Sequence, residues 1–400
     1  MHWRLNKTKL VALAITCIVP TALSQWSPDF RLTFHSAFSS TSLNNARCLA
    51  IDPTGARIEV LHLTFFDDRD GNREIYYKRS NNGGASWSPD VRLTNNPAIS
   101  HFPAIAAWGS GIHVVWEEYR DGNGEIYYSR STDGGATWAA NTRLTNNPSS
   151  SLSPSIAVVD NHVHLTWFDQ RDGNDEIYYK RSDDGGQSWS ADLRLTNNPS
   201  TSAFPAIAVA KAVIHVAWEE HRDANGEIYF KRSSDGGITW GPDTRLTNNS
   251  ANSFSPSISA TTSDVNVAWF DQRDGNLEIY DKHSADGGLN WAVDKRITNN
   301  QAVSNYPSVS VSASSVHLVW FDERDGNTEI YYNTSSDRGA TWGTDIRLTN
   351  DGARSTDPCL AVSGLNIHVL WTDARDNFPT YTGNYELYYK RNPAPSLGVP

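Results

Sequence analysis

The sequence predicts an all-β fold, a seven-bladed β-propeller of four-stranded blades. Two observations predict it: one motif recurs seven times with a step of 51 residues, and each copy contains four short segments with the alternation typical of strands. The clearest marker is an Arg-Asp pair, whose arginines are Arg69, Arg120, Arg171, Arg222, Arg273, Arg324 and Arg375. A ring of repeats lengthens without enlarging any one core, so we predict a single domain over residues 25–392 and a short tail at 393–400.

The second repeat shows the four predicted strands clearly. Residues 103–107 are small and apolar, residues 112–118 alternate, residues 125–131 are rich in Ile and Tyr, and residues 142–145 form a short last strand. Asp121-Gly122 lies between the second and third strands, and Asp-Gly readily adopts the positive φ of a tight hairpin. Four strands per repeat of this length are typical of a propeller blade.

The first 24 residues have the features of a signal peptide. Arg4, Lys7 and Lys9 precede a short apolar run, and residues 22–24 supply small side chains for cleavage before Gln25. The apolar run is too short to span a bilayer, so we expect a secreted or periplasmic protein without a membrane span. Removing the leader takes the formal net charge from −11 to −14, which argues against nucleic-acid or anionic-membrane partners.

The ring is predicted to close by combining two distant segments of the chain in one blade. The last repeat lacks its fourth strand, and residues 26–33 match residues 87–94, the fourth-strand segment of the first repeat. Such closure leaves no open sheet edge. Cys48 and Cys359 lie at the same place in repeats one and seven, which are neighbours in a closed ring. Because exported proteins meet an oxidising environment, we predict a disulfide between them; the alternative is two buried free thiols.

The turn between the third and fourth strands carries the most specific motif. In the second repeat it reads Ser-Thr-Asp-Gly-Gly-Ala-Thr-Trp over residues 131–138, and the first repeat has Asn82 at the Asp position. The motif resembles the Asp box, Ser/Thr-x-Asp-x-Gly-x-x-Trp, of the sialidase-like superfamily, and the resemblance covers nearly the whole chain after the leader. In that family the box is a structural turn, which implies that the Asp accepts backbone hydrogen bonds and that the Trp packs between sheets. The matching positions are Asp133, Asp184, Asp235, Asp286 and Asp337, with Trp87, Trp138, Trp189, Trp240, Trp291 and Trp342.

The resemblance also implies where a sialidase active site would lie. Family sialidases carry Arg-Ile-Pro at the first strand of an early blade, two further arginines for the substrate carboxylate, a Tyr/Glu nucleophile pair and an Asp acid/base. The residues two positions before each first-strand proline are His101, Leu152, Ala203, Phe254, Asn305 and Thr356, none of which is arginine. The missing motif favours carbohydrate binding over sialidase chemistry.

Strand parity predicts two faces of the propeller. We call the face with the hairpins between second and third strands and the links between blades the link face, and the opposite one the Asp-box face. On the link face an acid precedes each arginine of the Arg-Asp pairs by two residues: Asp67, Glu118, Asp169, Glu220, Asp271, Asp322 and Asp373.

Three interpretations of this repeated constellation remain open. The arginine pairs with neighbouring carboxylates and holds the hairpin in shape, or acid and arginine together form a ring of similar sugar-binding pockets. In the third, the spacing from Asp169 to Asn174 holds Ca²⁺; no other cofactor is expected. Histidines that step by 51 residues are spread around the ring, so they predict no metal cluster.

Departures from the repeat gather where repeats one and seven adjoin. The link into repeat one is longer, a proline position holds arginine, and the last hairpin is enlarged by residues 377–385. Arginines, acids and tyrosines together suit an anionic sugar, whereas the alternative is irregularity that merely marks where the ring closes. The candidate catalytic residues of this seam are Arg47, Arg354, Asp357, Asp373, Tyr381 and Tyr385.

These observations predict a secreted, monomeric propeller that binds glycans or polysaccharide, with avidity from many similar sites. One alternative is an exo-acting glycoside hydrolase of the sialidase type with its active site at the seam. Another is a cell-surface scaffold for protein interactions. Substitutions discriminate between binding and catalysis, because many sites weaken gradually whereas catalysis vanishes with Arg47 or Arg354.

Overall fold

The computed structural model describes residues 26–42, 47–54, 59–377 and 384–392. These residues form seven antiparallel sheets, one per blade, and the first strands of all seven line a central channel. The predicted seven-bladed, four-stranded architecture is confirmed. In the described part of the chain, no helix is long and apolar enough to cross a membrane.

The strands follow the repeat closely. Blades one to three contain β2 (Ser39–Ser40), β3 (Leu49–Ile51), β4 (Leu61–Asp67), β5 (Glu74–Ser80), β6 (Val91–Arg92), β7 (Ser100–Trp108), β8 (Gly111–Glu118), β9 (Glu125–Ser131), β10 (Thr142–Arg143), β11 (Ser151–Val159), β12 (His162–Asp169), β13 (Glu176–Ser182) and β14 (Leu193–Arg194). Blades four and five contain β15 (Ser202–Ala210), β16 (Val213–Glu220), β17 (Glu227–Ser233), β18 (Thr244–Arg245), β19 (Ser253–Ala260), β20 (Val265–Asp271), β21 (Glu278–Ser284) and β22 (Lys295–Arg296). Blades six and seven contain β23 (Ser304–Ser312), β24 (Ser315–Asp322), β25 (Glu329–Ser335), β26 (Ile346–Arg347), β27 (Ser355–Ser363), β28 (Asn366–Asp373), β29 (Glu386–Asn392) and β1 (Phe30–Arg31), with a 3₁₀ turn at Arg375–Asn377.

The blades pack face to face, so the second and third strands are buried on both sides. A tryptophan of the second strand fills the centre of six blades, and each is completely buried: Trp116, Trp167, Trp218, Trp269, Trp320 and Trp371. Phe65 takes this place in blade one. Each apolar cluster joins residues of adjacent blades, so the core is a ring of inter-blade contacts.

Ring closure occurs as predicted. Phe30 and Arg31 of β1 pair antiparallel with Tyr389 and Tyr388 of β29, so β1 is the fourth strand of blade seven. The guanidinium of Arg31 also reaches Glu386, whose carboxylate is fully buried, at 2.7 Å.

The predicted disulfide between Cys48 and Cys359 is not confirmed, although the predicted contact between the two cysteines is present. Both side chains are buried, and the two thiols are hydrogen-bonded to each other without an S–S bond. The Cys48 thiol also donates to the carbonyl oxygen of Pro103 at 3.3 Å. Burial raises the pKa of the Cys48 thiol well above its usual value, which disfavours the thiolate through which a disulfide forms.

The turns on the Asp-box face have the geometry that the motif implies. Oδ1 of Asp133 accepts the backbone N–H groups of Ala136 and Thr137, and Asn82 takes the same role toward Ser86 in the first repeat. Trp138 packs edge-on against Tyr77 of the preceding blade, with ring centroids 4.8 Å apart. Each turn therefore fastens its own blade to the neighbouring one.

Candidate functional site

Most of the side chains that line the cavity in the central channel are apolar. First-strand residues from all seven blades, mostly Ala, Val and Ile, enclose a cavity of about 260 Å³. Arg47 crosses this channel, because its Nη2 donates to the carbonyl oxygen of Ile258 in blade five, 2.5 Å away. Burial lowers the pKa of Arg47. The arginine predicted as catalytic thus bridges two walls of the channel.

A repeated backbone bulge shapes the link-face mouth of the channel. In each first strand of blades two to seven the register shifts just before the small residue that follows the proline, as between His101 and Ala104. The residue at the centre of each bulge has a positive φ of 44° to 53°, a conformation that costs a side chain about 1 kcal/mol. Bulges re-aim side chains, and here they bring six residues to the mouth: Phe102, Ser153, Phe204, Ser255, Tyr306 and Asp357.

Aromatic and polar pairs alternate around this mouth. In blades two to six, the partner of the bulge residue is a second-strand side chain of the preceding blade. Where that side chain is Phe, the bulge residue of blades two, four and six is aromatic, and the rings pack 5.4 to 6.1 Å apart: Phe66–Phe102, Phe168–Phe204 and Phe270–Tyr306. Where it is Glu, the bulge residue is serine, whose backbone N–H donates to the carboxylate: Ser153 to Glu117 at 2.7 Å, and Ser255 to Glu219 at 3.1 Å.

Glu117 and Glu219 are nearly buried acids in a fold that does not require them. They are 2% and 5% exposed, respectively. Each has a histidine beside it, His101 at 3.2 Å from Glu117 and His221 at 2.9 Å from Glu219. The hydrogen bond to Glu219 raises the pKa of His221. Since four other blades have Phe at this position, the two carboxylates are extra polar groups placed at the mouth.

Asp357 and Tyr306 complete the polar side of the mouth. Burial raises the pKa of Asp357 to about 6, and its Oδ2 accepts a hydrogen bond from Thr356 at 3.0 Å. Tyr306 lies between the rings of Phe270 and Phe321. Burial raises the pKa of Tyr306, and the negative charges of Asp357 and Glu219 raise it further, so the hydroxyl lies within electrostatic reach of both acids.

The mouth of the channel contains the kinds of chemical group that bind sugars. Carboxylates and histidines accept and donate hydrogen bonds to hydroxyl groups, while the aromatic rings offer faces for the apolar side of a pyranose. With a pKa near 6, the carboxyl group of Asp357 also holds a proton for part of the time in neutral or weakly acidic solution.

The hairpin residues predicted as ligands are bound to each other instead. Arg171 forms a bidentate ion pair with Asp169 at 2.6 and 2.8 Å, reaches Asp192 at 2.8 Å, and lies 4.4 Å from the ring centroid of Tyr178. Asp169 is fully buried, and its ion pair with Arg171 helps to hold its pKa below the usual value, against the effect of burial. The geometry favours the interpretation in which these residues shape the hairpin.

The other hairpins repeat the pattern. The acids are fully buried and lie within 3.0 Å of their arginines: Asp67 with Arg69, Glu118 with Arg120, Glu220 with Arg222, Asp271 with Arg273, Asp322 with Arg324, and Asp373 with Arg375. In six blades the second-strand tryptophan donates its Nε1–H to the same acid, as Trp167 does to Asp169 at 2.9 Å.

The seam residues do not form one cluster. Asp357 lies at the mouth and Arg47 in the channel, but Asp373 is bound in its hairpin and Arg354 is exposed on the link. Tyr385 packs edge-on against Phe38 at 5.2 Å, and Tyr381 lies outside the described residues.

The histidines that step by 51 residues belong to the core. In five blades the imidazole Nδ1 is hydrogen-bonded to a tyrosine hydroxyl, as in His164 with Tyr179 at 2.7 Å, and burial lowers the pKa of His164 to about 4. Among the described residues, no group of three or more His, Cys, Asp or Glu side chains is placed to hold a metal ion. At the spacing considered for Ca²⁺, Asp169 is bound to Arg171, and Asn174 turns its amide nitrogen toward Glu176.

Comparisons with known proteins agree with this architecture. No protein-family model matches the chain. The solved polysaccharide lyase Uly1 superposes with a TM-score of 0.58 at 8% identity, covering 86% of this chain and 89% of that one. The phage phi92 endosialidase superposes with a TM-score of 0.54 at 10% identity, covering 93% of this chain and 70% of that one. The fold is that of the sialidase-like propellers. The resemblance inferred from the Asp-box motif is therefore confirmed for the fold, and identities this low show the fold alone.

A curated relative matches part of this chain. It is the xyloglucanase Xgh74A of Acetivibrio thermocellus; the alignment is 209 residues long with 27% identity, and it covers 42% of this chain and 24% of the xyloglucanase. The matched region thus spans about a quarter of that enzyme.

Sequence reasoning missed Glu117, Glu219 and Tyr306. The signal was present, because glutamate replaces phenylalanine at one second-strand position in two repeats only. These residues are single substitutions within otherwise regular repeats, whereas the insertions at the seam are the more conspicuous departures from the repeat.

Proposed function

We propose that this propeller recognises a carbohydrate at the link-face mouth of its central channel. The observation that carries the proposal is the pair of nearly buried carboxylates, Glu117 and Glu219, at a position where the fold accepts phenylalanine. A buried charge costs stability unless it is well paired, so acids that the architecture does not need favour a role in binding. Recognition at one mouth replaces the many equivalent hairpin sites considered from the sequence, since the hairpin acids are fully engaged in ion pairs.

The similar proteins support a carbohydrate as the ligand class. They include a xyloglucanase, a polysaccharide lyase and an endosialidase, each of which acts on a carbohydrate by its name. Export through the leader at residues 1–24 belongs to the same proposal, because an extracellular polysaccharide is met outside the cell.

Binding measurements on matched variants test the proposal. The purified protein is titrated by calorimetry with oligosaccharides of xyloglucan, arabinan and sialic acid. The variants Glu117→Phe and Glu219→Phe place at each position the residue found in four other blades, so we expect them to fold. Loss of at least tenfold in affinity supports the mouth as the site, with Glu→Gln variants showing whether charge or hydrogen bonding matters.

Two results would overturn the proposal. If the wild type binds an oligosaccharide and the double Phe variant binds it equally well, the mouth is not the site. If a folded wild type binds none of the panel and none on a broad glycan array, carbohydrate recognition itself is wrong.

A second candidate function is glycoside hydrolysis at the same mouth. It is favoured by the pKa of about 6 for Asp357 and by the position of Tyr306 at the same mouth, where the charges of Asp357 and Glu219 help to raise the pKa of its hydroxyl. These are the residue types that the sialidase-like resemblance implies for an acid/base and a Tyr/Glu nucleophile pair, whereas the Arg-Ile-Pro motif is missing. In this role Asp357 donates its proton to the leaving oxygen.

Hydrolysis of fluorogenic glycosides, a sialoside and an arabinofuranoside, tests this second candidate. We expect any turnover to be lost in Asp357→Asn and retained in Arg354→Ala, since Arg354 is exposed on the link. Turnover that depends on Arg354 instead would return the active site to the seam.

A further inference from the structure

Trp108 stands apart from every other tryptophan of the chain after the leader. The others belong to two series, the Asp-box tryptophans together with Trp26, and the second-strand tryptophans of the blade centres. Trp108 ends β7 on the Asp-box face, and its counterparts in the first strands of blades three, four, six and seven are Val159, Ala210, Ser312 and Ser363. The architecture therefore does not need an aromatic residue at this place.

Trp108 lines a cavity of about 460 Å³ between blades two and three. The cavity lies on the Asp-box face, opposite the channel mouth, and its walls include His113, Arg130, Asn161, Asp184 and Gln187. Trp108 also borders the end of the central channel on the Asp-box face and packs against the apolar cluster of blades two and three. One side of the indole is thus supported by the core, and the ring remains partly exposed.

The turn that carries Trp108 is held by the neighbouring blade. The backbone N–H of Gly109, which has a φ of 57°, donates to Oδ1 of Asp52 in blade one at 2.7 Å. A hydrogen bond to a carboxylate is stronger than one between neutral groups. Asp52 therefore acts as a positioning residue for the indole.

The polar walls of the cavity combine donors and acceptors with little net charge. The Nδ1 of His113 is hydrogen-bonded to Tyr128, burial lowers the pKa of His113 to about 4, and its Nε2 lies beside Gly111 at the cavity. Arg130 donates to the carbonyl oxygen of Gly185 at 2.7 Å. The lining residues carry one guanidinium, that of Arg130, and two carboxylates, those of Asp160 and Asp184, so one net negative charge remains and disfavours an anionic ligand.

We propose that this cavity is a second carbohydrate site, which binds a neutral sugar residue stacked on Trp108. An indole face supported by the core provides the apolar platform, and the imidazole, amide and carboxylate groups around it bind hydroxyl groups. The volume is sufficient for a sugar ring. The site is separate from the channel mouth and does not depend on the function proposed there.

Titration of the full chain with neutral oligosaccharides tests this proposal. The probes are xyloglucan oligosaccharides and cellohexaose, followed by tryptophan fluorescence and by calorimetry. The variant Trp108→Val carries the residue that blade three has at this position, so it keeps the fold. We expect the wild type to bind with a change in indole emission, Trp108→Val to lose at least tenfold in affinity, and Trp108→Phe to retain part of it.

The Glu117→Phe/Glu219→Phe variant separates this site from the channel mouth. We expect it to keep the Trp108-dependent binding, and a sialyl oligosaccharide should not compete for it. Equal affinity of Trp108→Val and wild type for the neutral probes would overturn the proposal, as would a folded wild type that binds neither probe. Binding lost only in the Glu variants would place all recognition at the mouth.

Discussion

Replacement of Arg171 by Met separates the two main interpretations of the repeated hairpins. The guanidinium forms two hydrogen bonds to fully buried Asp169, one to Asp192, and a cation–π contact with Tyr178. Met retains much of the packing of the side chain but leaves the Asp169 carboxylate without its counter-charge. If the arginine is structural, the free energy of unfolding should fall and glycan binding should not change.

The expected magnitude follows from what remains around Asp169. Removing one partner of a buried ion pair costs about 3–5 kcal/mol. Asp169 keeps four donors, which places the loss at the lower end: the indole of Trp167, the hydroxyl of Ser151, the amide of Asn147 and the backbone N–H of residue 171. Loss of the cation–π contact adds about 0.5–1 kcal/mol. We therefore expect a destabilisation of about 3–4 kcal/mol.

Urea denaturation at pH 7, followed by tryptophan fluorescence, measures this change. The exposed side chain of Lys211 provides the control, since Lys211→Met should change stability by less than about 0.5 kcal/mol. The double variant Asp169→Asn/Arg171→Met also removes the negative charge of residue 169, which has no counter-charge in Arg171→Met. It should recover about 1–2 kcal/mol of the lost free energy of unfolding. An unchanged denaturation midpoint for Arg171→Met, together with weaker glycan binding, would refute the structural interpretation.

Three further predictions follow from the packing and the titrating groups. In the second Asp-box turn, Gly135 has a φ of 84° and an added Cβ would lie 2.0 Å from the Tyr77 hydroxyl. Gly135→Ala should therefore lower the free energy of unfolding by about 2 kcal/mol or more in the same denaturation assay, whereas Ser110→Ala, at an exposed position, should not. The pKa of His164 is about 4 in the folded chain and about 6.5 in the unfolded chain, so the unfolded state binds more protons between these pH values. The free energy of unfolding should therefore fall as the pH drops from about 6.5 to 4, and the slope of this fall should be smaller by about 1 kcal/mol per pH unit in His164→Gln than in the wild type. Equal slopes in the variant and the wild type would contradict the assignment. The double variant Glu219→Phe/Ser255→Phe places between blades four and five the same pair of rings as Phe168 and Phe204. Its thermal unfolding should occur at the same temperature as in the wild type or at a higher one, while its glycan binding falls. A large loss of stability would show that the Glu219 carboxylate serves the fold.

The sequence predicts the scaffold well because the repeat appears in it seven times. Residues 26–33 could be assigned to the last blade because they match a segment whose place in the repeat is known, and β1 pairs there with β29. The contact of Cys48 with Cys359 followed from the same ring. Whether the two thiols are oxidised to a disulfide does not follow from the ring, because oxidation depends on their local environment, in which burial raises the pKa of Cys48.

The site was harder to predict, because its geometry arises from a feature without a sequence signature. The bulge that gives Phe102 and Asp357 a positive φ occurs at residues that rarely adopt it, so no glycine marks the position. The pairing of Glu117 with Ser153 joins two blades and becomes visible only when strands of adjacent repeats are superposed in space. Trp108, in contrast, was recognisable as a tryptophan outside both repeated series.

The closing blade has a consequence for the order in which the chain folds. Blade two takes its strands from residues 100–143, whereas the Arg31–Glu386 ion pair joins residues 355 positions apart. During synthesis the middle blades can form as they emerge, but β1 has no partner until β29 exists, and closing so long a loop is slow. Deletion of residues 26–33 would leave the edge of β29 open, and that edge would then pair with the open β29 edge of a second molecule of the same variant.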